Sequence, residues 1–155
     1  CEYLEEKIPN PNLLGRKAHE RAEVRRLVAW FDRKFDREVS NLLINEKVMK
    51  RFLGLGEPDS GTIRAAQKNI HIHLNYITFL TDRRHWLAGE EMTLADIAAA
   101  SHLSAVDYLG DVPWTKYKSA SHWYARIKSR PSFRPILTDA IPGLPAPKHY
   151  ANLDF

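Results

Sequence analysis

The segment Met92-Thr93-Leu94-Ala95-Asp96-Ile97 constrains this chain more than any other. Thr93 is placed as the N-cap of a helix, and Asp96 falls at the third helical position, where a carboxylate answers the free amides of the first turn. Met92 before the cap and Ile97 beyond it supply the apolar staple that sets the entry angle. The helix that follows, Leu94 to Leu109, is rich in Ala, Leu and Val on nearly every side, and Ala98, Ala99, Ala100 and Ala105 allow close approach. A helix apolar all round has no solvent face, so the rest of the chain must wrap it. Asp96 is accordingly read as a capping residue and not a catalytic acid.

The wrapping elements are helical too. From about Ala18 to Leu53, Val24, Val28, Phe31, Phe35, Val39 and Leu42 recur in steps of 4, 3, 4, 4 and 3, one face of an α-helix. The stretch is long, so a bend is expected near Ser40-Asn41 or Asn45. Gly54 to Pro58 breaks it, and Asp59 or Ser60 caps a second helix over about 60–83. Its inward stripe is Ile63, Ala66, Ile70, Leu74, Ile77 and Leu80. Ile72, Tyr76 and Phe79 form another stripe about 180° away. Two apolar faces imply two partners, and this outer stripe is a candidate homodimer interface. A last amphipathic helix is expected over Trp114–Ser129, then a short one over Phe133–Asp139. Pro142, Pro145 and Pro147 make 141–155 an extended, proline-rich tail. No segment alternates with a period of two, so the expected fold class is all-α.

Composition narrows the function. With 23 Lys+Arg against 19 Asp+Glu the formal charge is only +4, and acids and bases alternate, as in Glu23-Val24-Arg25-Arg26. Nucleic-acid binders concentrate their cations, so nucleic acid is not the expected partner. No run approaches the ~18 apolar residues of a membrane span. Cys1 alone makes no internal disulfide and is read as a packing residue. His71 and His73 point about 200° apart on a helix and cannot share an ion, so no metal site is expected.

One surface stands out. On an α-helical wheel Arg26, Trp30, Arg33, Arg37 and Asn41 fall within about 80°, opposite the apolar stripe. Arg and Trp dominate interface hot spots, so Trp30, Arg33, Arg37 and Asn41 are candidate substrate-binding or interface residues.

Three motifs, in order and at matching spacing, resemble the glutathione S-transferase superfamily. Cys1-Glu2-Tyr3-Leu4-Glu5-Glu6-Lys7, followed by Pro9-Asn10-Pro11-Asn12 and Leu13-Leu14, is similar to the exit from its thioredoxin-like domain. Trp86-Leu87-Ala88-Gly89 with Met92 to Ile97 resembles the capping box of its central helix, and Trp123 to Ile127 with Arg130-Pro131-Ser132-Phe133 its late helix and closing turn. The tail His149-Tyr150-Ala151-Asn152-Leu153-Asp154-Phe155 resembles the bacterial members that associate with FtsZ in cell division.

The resemblance implies a helical C-terminal bundle over 16–140, with 1–8 as the last helix of the thioredoxin-like domain, 9–15 as linker and 141–155 as tail. It implies a cytoplasmic, dimeric protein that conjugates glutathione to an electrophile, this part forming the wall for the second substrate. The family's thiol-activating residue and its acid/Ser pair for the γ-glutamyl group have no counterpart here. No catalytic residue is therefore assigned, and the chain alone is expected neither to catalyse nor to hold glutathione tightly. The alternative implied by the tail is a non-enzymatic dimeric scaffold with a protein partner such as FtsZ. An accessory module of aminoacylation or elongation complexes shares the fold, but nothing in the tail suggests it.

Overall fold

The computed structural model describes residues 2–153, so the packing role expected of Cys1 lies outside the described residues. Five α-helices carry the chain, with no strand among the described residues. They are α1 (Glu2–Lys7), α2 (residues 18–53), α3 (Ser60–Thr81), α4 (Leu94–Tyr108) and α5 (Lys118–Lys128). α4 is central: Ala95, Ala99, Ala100, Leu103 and Val106 are all 0% exposed, packed between α2, α5 and the tail.

α2 is continuous but not uniformly α-helical. It runs as α-helix over Ala18–Ala29, widens to π-helix over Trp30–Ser40, returns to α over Asn41–Ile44, widens again over Asn45–Met49 and ends α-helical at Lys50–Leu53. The expected disturbance at Ser40-Asn41 and Asn45 is therefore a change of hydrogen-bond register. At Asn41 the backbone N–H donates to the Asp36 carbonyl, five residues back. Four residues advance an α-helix by about 40° past a full turn, and the wider π turn drifts the opposite way. Alternating the two holds every fourth residue on one side. Leu27, Phe31, Phe35, Val39 and Leu43 consequently form one straight row, each 0% exposed. Leu27 and Leu43 thus replace the expected Val28 and Leu42, which are only half-buried.

The same rule sorts the other faces of α2. Ala29, Arg33, Arg37, Asn41 and Asn45 all face solvent. Trp30, Lys34 and Glu38 face α3, while Asp32, Asp36, Ser40, Ile44 and Val48 run alongside α4 or open beside it.

Gly54, in the left-handed region at φ 63°, ends α2. The Asp59 carboxylate then caps α3 by accepting the Thr62 N–H at 2.6 Å. α3 buries Ala66, Ile70, Leu74, Ile77 and Leu80, while Ile63 is half-buried. The expected helix over 114–129 is split: Trp114–Lys116 is a 3-10 turn, and Tyr117 interrupts at φ −133° before α5. The short helix after Phe133 is also a 3-10 turn, Arg134–Thr138.

The tail departs most from expectation. It is non-helical, but it folds back onto α4 instead of running free. Tyr150 is buried and its hydroxyl lies 2.8 Å from Ser104 Oγ. The Tyr108 hydroxyl donates to the Leu144 carbonyl at 2.8 Å and accepts the Ile141 N–H at 2.7 Å. Lys128 Nζ donates to the carbonyls of His149 and Asn152.

Candidate functional site

Asp96 does more than cap. Its Oδ2 accepts the Thr93 N–H at 2.9 Å and the Thr93 hydroxyl at 3.2 Å. Its Oδ1 accepts the Leu87 N–H and Trp123 Nε1–H, both at 2.9 Å. The carboxyl is fully buried, and that burial pushes its pKa up against the downward pull of these donors. One side chain thus joins the turn at Leu87, the start of α4 and the middle of α5. The long-range partner Trp123 had no local signature in the sequence.

The surface grouped by the α-helical wheel divides in two. Arg33, Arg37 and Asn41 stay together on the solvent row of α2. Arg26 and Trp30 turn toward α3, because the change to π-helix begins at Trp30. The Trp30 ring packs on Tyr76 with centroids 4.8 Å apart, and its Nε1–H donates to His73 Nδ1 at 3.1 Å. An indole only donates, so His73 Nδ1 is the acceptor and Nε2 faces Glu38 Oε2 at 3.1 Å. His73 is wholly enclosed, and burial lowers its pKa against the opposing pull of Glu38.

The outer stripe of α3 is not core. Ile72 is 56% and Phe79 51% exposed. Tyr76 is half-buried, and its hydroxyl accepts from Arg26 Nη2 at 2.7 Å. Arg26 also pairs with Glu23, as does Arg84, and these guanidinium hydrogen bonds hold the Glu23 carboxyl down at about 2 despite partial burial.

His71 and His73 take different partners, His71 Nδ1 lying 2.7 Å from the Tyr117 hydroxyl. Among the described residues no group of three His, Cys, Asp or Glu side chains is arranged to hold a metal. No helix among them is long and apolar enough to cross a membrane.

A groove missed by the sequence reading lies between α2, α4 and the returning tail, with a volume of 390 Å³. Its walls are mostly apolar, with Ile44 and Val48 of α2, Ala105 and Leu109 of α4 and Ile141 beyond, and Ser101, Ser104 and Asp139 are its polar members. Such a cleft has the size and apolar lining of a small-molecule site. Farther along the same α2 row stands a polar group. Ser40 Oγ is 3.2 Å from His102 Nδ1, and His102 Nε2 is 3.4 Å from Asp32 Oδ1. The every-fourth spacing of Asp32, Asp36, Ser40, Ile44 and Val48 was the available signal. It is hidden when a period of 3.6 is assumed.

The family model of the glutathione S-transferase C-terminal domain matches residues 48–131. FtsZ-localized protein A of Caulobacter vibrioides is 53% identical over 154 residues, covering 99% of this chain and 68% of that protein. A crystal structure of a glutathione S-transferase from Rhodospirillum rubrum F11 is 60% identical with TM-score 0.96, covering 100% of this chain and 70% of the other. FzlA from C. crescentus gives TM-score 0.96 at 53% identity, over 99% of this chain and 68% of that one. With its capping box, central helix and returning tail inside these matches, the chain belongs to the glutathione S-transferase superfamily as a C-terminal helical domain.

Proposed function

We propose that this chain is the helical part of a dimeric, cytoplasmic glutathione-transferase-like scaffold that binds FtsZ in bacterial cell division. The observation that carries the reading is the 53% identity to FtsZ-localized protein A over 99% of the chain, a span that includes the tail. Fold alone does not assign function, and two surfaces of the chain are available for the contacts this reading needs. The solvent row Arg33, Arg37, Asn41 is the candidate partner face; the Arg37 side chain is 79% exposed and only 3.8 Å from its nearest acid, Glu38. Ile72 and Phe79 are the candidate homodimer contact, since exposed apolar strips of this kind mark protein interfaces. The test is sedimentation of the full-length protein with FtsZ filaments. Saturable co-sedimentation, weakened when Arg33 and Arg37 are changed to Glu, supports the reading. Absence of the wild-type protein from the pellet overturns it.

The apolar groove favours a second reading, conjugation of glutathione to an electrophile held against Ala105, Leu109 and Ile141. In it the glutathione thiolate sulfur forms a bond to the halogen-bearing carbon of an activated aryl halide, and the carbon–halogen bond breaks with the halide leaving with its electron pair. The thiolate would be held by residues outside this chain. Turnover of an activated aryl halide by the full-length protein, reduced when Ala105→Trp fills the groove, separates this reading from the scaffold.

A further inference from the structure

α5 begins differently from the helices before it. Asp59 caps α3, and the Thr93–Asp96 pair closes the start of α4. α5 opens at Tyr117, whose side chain makes no capping bond. The first backbone bond of the turn is Ser121 N–H to the Tyr117 carbonyl, and the N–H groups of Lys118 and Ser119 meet no acceptor among the described residues. The turn holds no acid to answer the positive end of the helix dipole, and carries the cation of Lys118 instead.

A cavity of 750 Å³ opens beside this turn. Val112, Pro113 and Trp114 form an apolar wall, while Thr115, Lys118 and His122 stand exposed at its edge. Ser121 supplies an independent observation. It is 7% exposed and lines the cavity, yet its hydroxyl has no hydrogen-bond partner among the described residues. The hydroxyls of Thr81, Ser101 and Ser129 bond back to the carbonyl four residues earlier. Ser121 makes no such bond, so its hydroxyl is left for a group in the cavity. The carboxylates of this region are engaged elsewhere. Asp107 accepts from Trp114 Nε1 and faces His149, and Asp111 is held by Lys47 and Gln67. Lys118 and His122 therefore have no anionic partner among the described residues.

The geometry points to a binding site for a small phosphate monoester, with its phosphate at the first turn of α5 and its apolar body against Val112, Pro113 and Trp114. Backbone N–H groups at a helix start, a hydroxyl and an ammonium are the donors that phosphate oxygens take. The cavity has the size of a small-molecule site. It shares no residue with the Arg33–Arg37 face, the α3 strip or the α2–α4 groove, and the inference is independent of FtsZ binding.

The test uses the full-length protein with phenyl phosphate, phenol and inorganic phosphate, binding being measured by calorimetry at low ionic strength. Phenyl phosphate is expected to bind at least about tenfold more tightly than phenol, the scale of one hydrogen bond to a charged group. It is also expected to bind more tightly than inorganic phosphate, which lacks the apolar body. Ser121→Ala is expected to weaken phenyl phosphate by about tenfold. Because alanine favours the helix, the same variant should unfold in urea no earlier than the wild type. Lys118→Gln with His122→Gln is expected to weaken phenyl phosphate about threefold and to leave phenol unchanged. Phenyl phosphate binding no more tightly than phenol, or indifferent to all three substitutions, overturns the phosphate assignment. Inorganic phosphate binding as tightly as phenyl phosphate overturns the assignment of an apolar body to the Val112–Trp114 wall. Failure of phenyl phosphate to bind at millimolar concentration overturns the site altogether.

Discussion

Replacing Asp96 by Ala removes the acceptor of three N–H groups at once: Leu87, Thr93 and Trp123 Nε1. Leu87 and Trp123 are 0% exposed and Thr93 8%, so water does not readily replace the lost oxygen. Each stranded buried donor costs about 1–3 kcal/mol. Part of that sum is offset, because burying the carboxylate is itself unfavourable, as its raised pKa shows. A net loss of about 3–4 kcal/mol remains, a large share of a typical domain's ~5–15 kcal/mol. Thr93→Ala removes only one capping hydroxyl and is expected to cost about 1 kcal/mol. Asp96→Asn keeps one oxygen for Leu87 and Trp123 but turns an amide NH2 toward the Thr93 N–H, and should fall between, at about 2 kcal/mol. Urea unfolding followed by circular dichroism, with slopes compared across variants, gives the ranking. Asp96→Ala no more destabilising than Thr93→Ala would refute the claim that Asp96 joins three elements.

Two further outcomes are expected. Ile72→Glu with Phe79→Glu places charge on the exposed face of α3 and spares Tyr76, which is engaged with Trp30 and Arg26. Sedimentation of the full-length protein is expected to show a dimer for the wild type and a folded monomer for the variant, and an unchanged dimer removes this face from the interface. Glu23 is held by Arg26 and Arg84 at about 2, below its ordinary 4.5, so its stabilisation is complete above pH 4.5 and is lost as pH falls toward 2. After screening, that stabilisation is about 1 kcal/mol. The stability gap between wild type and Glu23→Gln should shrink over that acid window, and a gap independent of pH contradicts the ion-pair account.

What the sequence disclosed was local. The cap at Thr93, the largely apolar helix after it and the cap of α3, which falls on Asp59 of the two candidates Asp59 and Ser60, each depend on neighbours within one turn, and each is where periodicity and capping chemistry put it. What it concealed was of two kinds. Contacts between distant residues, such as Asp96 with Trp123 or Tyr150 with Ser104, leave no spacing to read. Asp107 belongs here too: fully buried, it accepts from Trp114 Nε1 at 2.7 Å and approaches His149 Nε2 at 2.9 Å, in a stretch that reads simply as helix. The second kind was a wrong period. Leu27, Phe31, Phe35, Val39 and Leu43 repeat strictly every fourth residue, which is the mark of mixed α and π turns. A period of 3.6 instead joined Trp30 to the arginine face and scattered the row whose last two members, Ile44 and Val48, line the groove.

FtsZ binding is the claim on which the functional account turns, and co-sedimentation of the full-length protein with FtsZ filaments tests it most directly. The account predicts saturable binding that weakens at least about tenfold when Arg33 and Arg37 are both changed to Glu, the scale of losing two interface hot-spot side chains. Wild-type protein left in the supernatant across filament concentrations, while an activated aryl halide is conjugated to glutathione at an appreciable rate, would contradict it.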